Sequence, residues 1–398
     1  MTATLTATRE LGLIGTYIGG TDAAATDHIY AGEGRRVGRR HADPRYQAAL
    51  SEALRLYESV LAGSRRAALQ FQEAMSRSDF QLLFGDVLDR QLLGTYNTLP
   101  VNWQAVARRG RVRDFRTVRR FTLDGGKAVL QPVAELAPYQ SRAVIDGGYE
   151  YSVGKYGAEI SISWESVIND DLDAFRELPQ SLALAARRTE ERFATSLYAT
   201  PSGPNSSFFN AANKNVVQGD PPLSISGLQA ALTVMGNQVD SDGAPIYVEA
   251  AVLVVPPALE VTARNILNAT EILAATGGGD GNGNDQLRTA NWMRNRVQLV
   301  VNPWLPIVDQ ATGNTAWYVF AAPSAGRPAM EVGFLIGHES PELWMRTPDA
   351  VRVGGGTVAP EEGDFEHDAI RYRVRHVLGG TLMDPKMGVA SKGTGTGS

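Results

Sequence analysis

The sequence predicts an α+β protein built from several parts, and three observations predict it. Apolar residues recur at three- and four-residue steps in two stretches: Tyr46, Ala49, Leu50, Ala53, Leu54, Tyr57 and Leu61, then Leu182, Ala186, Thr189, Phe193 and Leu197. Strand-like alternation occupies 149–153, 159–164 and 370–378. The run 250–255 is apolar throughout, as a strand covered on both faces would be.

Each element has a local cause. Residues 1–43 are rich in Thr, Gly, Ala and Arg without a sustained period, and read as an extended or disordered arm. Asp43-Pro44 opens a helix with a capping residue and a proline in the first turn. Gly63 ends it, a second helical stretch runs to about Ala74, and a third follows Ser78 or Asp79 up to Gly94. From Arg108 the pattern turns strand-like, with a tight turn over 123–127. The whole of 108–163 reads as a long two-stranded excursion with little core of its own, which in water needs something to lie on. A short acidic piece over 164–175 precedes Pro179, where a long helix to about Ala199 is expected to start. Its other face, Arg187, Arg188, Glu190, Glu191 and Arg192, reads as solvated or as an interface.

Residues 223–340 read as a separate α/β unit. It has a helix over about 224–238, the buried strand at 250–255, and a helix after Pro256-Pro257 with Leu259, Ala263, Ile266 and Leu267 on one side. The glycine-rich loop 277–284 follows, then strands at 297–301, 317–321 and 331–336. A strand returns over 370–378, and 386–398 reads as a flexible Gly/Ser/Thr tail.

Composition narrows the function. The 398 residues include no cysteine, which removes disulfides, thiolate metal sites and cysteine nucleophiles together. The net charge of −5 argues against a generally basic nucleic-acid binder. The N-terminus has no signal-peptide pattern, and the longest apolar run, 250–259, is about half a membrane span; a soluble protein made in a cytoplasm is expected.

Catalytic signatures are missing. There is no phosphate-binding P-loop, no nucleophile elbow and no paired-histidine zinc motif, and His338-Glu339 lacks a second histidine four residues on. His28, His41, His338, His367 and His376 are scattered, so surface or hydrogen-bonded roles are expected, with no metal, cofactor or catalytic residue assigned. Gly278, Asp280, Asn282 and Asn284 superficially resemble calcium-loop ligands, but glycines interleave them and the closing glutamate is missing. The arginines Arg108, Arg109, Arg111, Arg113, Arg116, Arg119 and Arg120 suit nucleic acid or carboxylates. With only Phe115 and Phe121 interleaved, the favoured reading is intersubunit pairing, by Arg111, Arg113, Arg116, Arg119 and Arg120 against an acidic region such as Asp170, Asp171 and Asp173.

The order of elements is arm, helices, long β excursion, long helix, α/β unit and returning strand. It resembles the major capsid proteins of tailed bacteriophages, the Hong Kong 97-type fold, and particularly their Mu-type head-subunit and actinobacterial phage relatives. The resemblance is carried by Lys155-Tyr156-Gly157 through Ile160-Ser161-Ile162-Ser163-Trp164-Glu165, by Ile168-Asn169-Asp170-Asp171-Leu172, Ala174-Phe175 and Leu178-Pro179. It continues through Leu253-Val254-Val255-Pro256-Pro257, Asn302-Pro303-Trp304-Leu305, 329–335 and Tyr372-Arg373-Val374-Arg375-His376, covering about 70–385.

The resemblance implies an N-terminal arm and helix (1–70), a first part of a peripheral domain (71–107) and an extended loop (108–163) lying over an adjacent subunit. A peripheral domain with a spine helix (164–221), an axial domain (222–340) with its 277–284 loop near the capsomer axis, a peripheral return (341–385) and a flexible tail (386–398) complete it. It implies hexamers and pentamers in an icosahedral shell that encloses double-stranded DNA without reading its sequence. The partners would be copies of the chain, a scaffold or protease, a portal and decoration proteins, with no membrane. Some relatives crosslink Lys to Asn between subunits; Lys127 would be the candidate here, although a lysine at a turn is ordinarily just solvated. An encapsulin-type compartment, an α/β enzyme without a recognisable motif and a non-capsid phage structural protein stay open as alternatives.

Overall fold

A computed structural model describes residues 91–124, 145–163, 172–275, 286–346 and 364–395, apart from positions 242, 295 and 325, together with position 353 and four helical positions at 55, 59, 66 and 70. The arm, most of the expected N-terminal helices, the turn at 125–127, the acidic piece before residue 172 and the 277–284 loop lie outside the described residues.

In chain order the strands are β1 (Arg108–Val112), β2 (Val118–Asp124), β3 (Ile145–Tyr151), β4 (Val153–Ser163), β5 (Ala199–Thr200), β6 (Gly203–Pro204), β7 (Ala250–Val255), β8 (Glu271–Ala275), β9 (Gln286–Ala290), β10 (Gln298–Val301), β11 (Trp317–Ala321), β12 (Met330–Leu335), β13 (Glu342–Met345), β14 (Ala369–Leu382) and β15 (Gly388–Ser391). Residues 91–98 are helical, and the α-helices that follow among the described residues are α1 (Leu172–Tyr198), α2 (Ile225–Gly236), α3 (Glu260–Asn268) and the single turn α4 (Leu305–Val308). The fold is α+β, with two main sheets.

β14 organises the first sheet. Its alternation places Ile370, Tyr372, Val374 and His376 on the buried side and Arg371, Arg373 and Arg375 on the other. β4 runs antiparallel along one edge of β14 from Ala369↔Ser163 to Gly379↔Val153. On the other edge β13 and then β12 pair with it, and β1 adds in parallel to β12. Within 108–163 only β2 and β3 pair apart from this sheet, as a two-stranded ribbon; elsewhere among the described residues β5 with β6 and β8 with β9 also form two-stranded pairs. The expected excursion over 108–163 is therefore corrected: its two ends, β1 and β4, belong to the sheet, and the described ribbon strands are 118–124 and 145–151. Local alternation is the same for a sheet strand and a free ribbon, so only long-range pairing separates them.

The second sheet runs β10-β7-β11-β15. The apolar β7 lies inside it, parallel to β10 and antiparallel to β11, with its last four residues buried. α2 begins where expected, with the Ser224 hydroxyl accepting from Gly227 N at 3.0 Å. α3 buries Ala263, Ile266 and Leu267.

Two strands change places relative to the sequence reading. The strand expected at 331–336 as part of the α/β unit is β12 of the first sheet. The expected flexible tail supplies β15, all four residues buried, to the second sheet beside β11. A short Gly/Ser/Thr-rich segment looks like a linker, yet Gly388 fits against the Phe320 ring and Val389 is fully buried. One continuous apolar cluster, including Tyr198, Val254, Phe320, Phe334, Leu378 and Val389, joins both sheets.

The long helix also differs from expectation. α1 starts at Leu172, with Pro179 inside it rather than at its start. Proline costs one backbone hydrogen bond there. At 1.5 Å per residue the 27-residue helix is about 40 Å long. Leu182 and Ala186 are buried as expected, but so are Ala183, Arg187, Glu190, Glu191, Ala194, Thr195 and Tyr198. The buried stripe is rotated toward the charged residues.

Candidate functional site

Most of the arginine run finds carboxylates within its own chain. Parallel pairing of β1 with β12 sets Arg108 opposite Glu331. Arg108 Nε donates to Glu331 Oε2 at 2.9 Å, and Arg120 Nε of β2 donates to Oε1 at 2.8 Å. The Tyr151 hydroxyl of β3 donates to the same Oε1 at 2.6 Å. Burial pushes the Glu331 carboxyl upward, but Tyr151, Arg108 and Arg120 outweigh it and hold the group below its ordinary value. Burial, then Glu331, pushes the Tyr151 phenol up to about 12.

Arg111 Nε lies 2.8 Å from Glu339 Oε1, and Arg109 Nη2 lies 3.4 Å from Oε2 of the same buried side chain. Arg119 pairs with Glu150 directly across the hairpin at 2.6 Å. That pair is largely exposed and contributes at most about 1 kcal/mol.

Arg111, Arg119 and Arg120, expected to face a neighbour's acidic region, each have a carboxylate partner in their own chain. Arg113 and Arg116 differ. Both are exposed in the β1–β2 connection and make no ion pair among the described residues, while the Arg116 amide donates to Asp114 Oδ1 at 3.0 Å. Phe115 between them is 49% exposed, and Phe121 on β2 is 73% exposed. Asp173 falls in the first turn of α1. Lys127, Asp170, Asp171, Gly278, Asp280, Asn282 and Asn284 lie outside the described residues; the last four fall between β8 and β9, which close as a hairpin at Ala275↔Gln286.

A second charged cluster was missed in the sequence. Glu190 of α1 is fully buried. Its Oε1 accepts from His376 Nε2 at 2.8 Å and from the Tyr96 hydroxyl. Its Oε2 accepts from Trp103 Nε1 at 3.0 Å and Arg187 Nη1 at 2.9 Å. Arg187 also caps the Tyr96 carbonyl at 2.6 Å and stacks on the Tyr96 ring, 3.8 Å from its centre. Burial pushes the Glu190 carboxyl up, but His376 and Arg187 outweigh it and hold the group below its ordinary value. Burial prevails at neighbouring Glu191, whose carboxyl is raised although the amides of Asn102 and Trp103 donate to it. The available signal was Ala183, Arg187, Glu190, Ala194 and Tyr198 at three- and four-residue steps. Reading charge as solvent exposure hid it.

Among the described residues no three His, Cys, Asp or Glu side chains gather to hold a metal ion. The enclosed cavity beside Trp103, Tyr198 and Asn302 has about 10 Å³, room for at most a single water. A broad depression at Gln229, Leu232, Thr233, Trp292 and Arg296 contains no carboxylate or histidine. His338 pairs with Glu342, which also binds Arg375. Among the described residues no helix is long and apolar enough to cross a membrane.

A family model described as phage capsid protein matches residues 148–391, well over half of the chain. No curated protein matches it. Several solved structures are similar. One from Microbacterium phage Oxtober96 shares 13% identity, covers 72% of this chain and 86% of its own, and has a TM-score of 0.42. One from Gordonia phage Cozz shares 13% identity, covers 74% and 91%, and also has a TM-score of 0.42. The holo-SrpI encapsulin complex from Synechococcus elongatus PCC 7942 shares 11% identity, covers 74% and 89%, and has a TM-score of 0.43. At these scores the structural likenesses do not separate phage shells from encapsulins; the family assignment rests on the model that matches 148–391.

Proposed function

Because this chain belongs to the phage capsid protein family, we propose that its copies, as the major capsid protein, tile as hexamers and pentamers into an icosahedral shell around double-stranded DNA. The β2–β3 ribbon carries this reading. Among the described residues its strands pair only with each other, and Phe121 on it is 73% exposed. A two-stranded ribbon is marginal alone in water, and an exposed aromatic with arginine close by in the chain suits an interface. The ribbon lies over an adjacent subunit in the shell.

In this scheme the first sheet with α1 is the peripheral domain. The second sheet with α2 and α3 is the axial domain, and the segment between β8 and β9 faces the capsomer axis. Arg113 and Arg116 provide the free cations for a neighbour's carboxylates. DNA is enclosed without sequence-specific contact, consistent with the net charge of −5. The protein is made in the host cytoplasm and works in the virion, with a scaffold or protease and a portal as assembly partners.

Electron microscopy of the overexpressed protein, alone and with a candidate scaffold, tests this. Closed shells or sheets of capsomers are expected. A persistent monomer under both conditions, with turnover of a substrate, overturns the reading. Shells that retain an enzyme cargo in place of DNA identify a compartment protein instead.

A further inference from the structure

At the root of the β2–β3 ribbon, donors from three strands converge on one side chain. Glu331 accepts from Arg120 on β2, Tyr151 at the end of β3 and Arg108 on β1, so both ribbon strands and two sheet strands meet at a single carboxylate. Its side chain is 1% exposed. Two glycines make the arrangement possible. A Cβ on Gly110 would collide with the Glu331 carboxylate, and one on Gly333 would collide with the Tyr151 ring and hydroxyl. Arg120 Nη2 also donates to the Arg111 carbonyl at 3.0 Å, tying β2 to the end of β1.

The apolar support at the same root is small. Val112, Tyr151, Val153, Leu335 and Val377 form a cluster of their own, with Val118 against it. Apolar burial is non-directional and holds the root down without fixing its angle. A carboxylate bonded to charged and hydroxyl donors on separate strands is directional.

We propose that Glu331 is the positioning residue that sets the direction in which the ribbon leaves the sheet, and that the geometry of the assembled shell depends on it. The second half rests on the shell-building reading above; the first half does not.

The test is hydrogen exchange on the full chain, comparing wild type with Glu331→Gln and Tyr151→Phe, followed by electron microscopy of the assembled products. Glu331→Gln keeps the shape of the side chain and removes the charge. Amide exchange over 118–124 and 145–151 is expected to speed up about tenfold or more in this variant, and less in Tyr151→Phe. Exchange over 250–255 and 317–321 is expected to stay at the wild-type rate, a separation that general destabilisation would not produce. Glu331→Gln particles are expected to be open or of mixed size. Unchanged exchange in the ribbon overturns the proposal, and normal particles despite a loosened ribbon overturn its assembly half. If Glu331→Gln does not fold, Tyr151→Phe decides the matter by the same exchange pattern. Failure of the wild type to form particles would count against the shell reading, while the exchange data would still decide the role of Glu331.

Discussion

His376 on β14 donates through Nε2 to Glu190 on α1 at 2.8 Å, and neither side chain reaches solvent to any extent. The contact joins α1 to the longest strand of the first sheet, and Arg187, Trp103 and Tyr96 complete the ring of donors around the carboxylate. Removing one partner of a buried charged cluster leaves the others unpaired. Glu190→Gln is therefore expected to lower unfolding free energy by about 3–5 kcal/mol. Glu191→Gln is expected to cost about 1 kcal/mol or less, because burial already disfavours its charge and an amide oxygen still accepts from Asn102 and Trp103. Denaturant titration of the two variants checks the contrast.

The same cluster predicts an acid limb. The Glu190 carboxyl is held below its ordinary value of 4.5 in the folded chain. Its contribution is therefore complete above about 4.5 and is lost as pH falls through the lowered folded value. Glu331 and Glu342 are shifted in the same direction and add to the effect. Glu191, raised by burial, acts in the opposite sense, opposing folding increasingly as pH rises above 4.5 until its own folded value is passed. Unfolding free energy is expected to fall more steeply below pH 4.5 in the wild type than in Glu190→Gln, as measured by denaturation across that range.

Two neighbouring glycines where β4 meets β14 should respond differently to alanine. A Cβ on Gly379 would run into the Ser152 carbonyl and the Val153 backbone, whereas one on Gly154 would meet only the Tyr156 ring at 3.8 Å. Gly379→Ala is expected to cost about 1–3 kcal/mol or more, and Gly154→Ala to change stability by about 0.5 kcal/mol or less. Thermal melts of the two variants separate them.

Truncation before Gly388 should not be silent. It removes β15 and uncovers one edge of β11 along Trp317–Phe320. The truncated chain is expected to lose cooperative unfolding and soluble yield, measured by circular dichroism melts and fractionation. Wild-type behaviour from it would contradict the placement of β15.

Charge reversal at Arg113 and Arg116 together is expected to impair assembly while altering unfolding free energy by about 0.5 kcal/mol or less, since both are exposed and unpaired among the described residues. Arg120→Glu is expected to destabilise the subunit itself, because it places a second carboxylate beside buried Glu331. Sedimentation of assembly products, with melts of the dissociated subunits, distinguishes the two effects.

The elements governed by local pattern were legible in the chain. The helix expected at about 224–238, the apolar run of β7, the Pro256-Pro257 entry to α3 and the alternation of β14 all follow from side-chain spacing and backbone chemistry, and each element lies where that chemistry puts it. The arginine run was legible as a cluster seeking carboxylates. Which carboxylates was not legible, because Arg108 and Glu331 are separated by 223 residues and become neighbours only through strand register.

Composition and periodicity thus established an α+β chain without cysteine or a recognisable catalytic motif, and the order of its elements established the resemblance to shell proteins. Tertiary structure alone decided the rest. It assigned β12 to the first sheet and β15 to the second, turned α1 so that Arg187, Glu190 and Glu191 face inward, and drew β1 and β4 out of the excursion into the sheet. The physical reason is common to all three. Burial of a charge, or the identity of a strand's partner, depends on what arrives from distant parts of the chain. His376 and Trp103 make Glu190 tolerable inside, and nothing within a few residues of position 190 announces them.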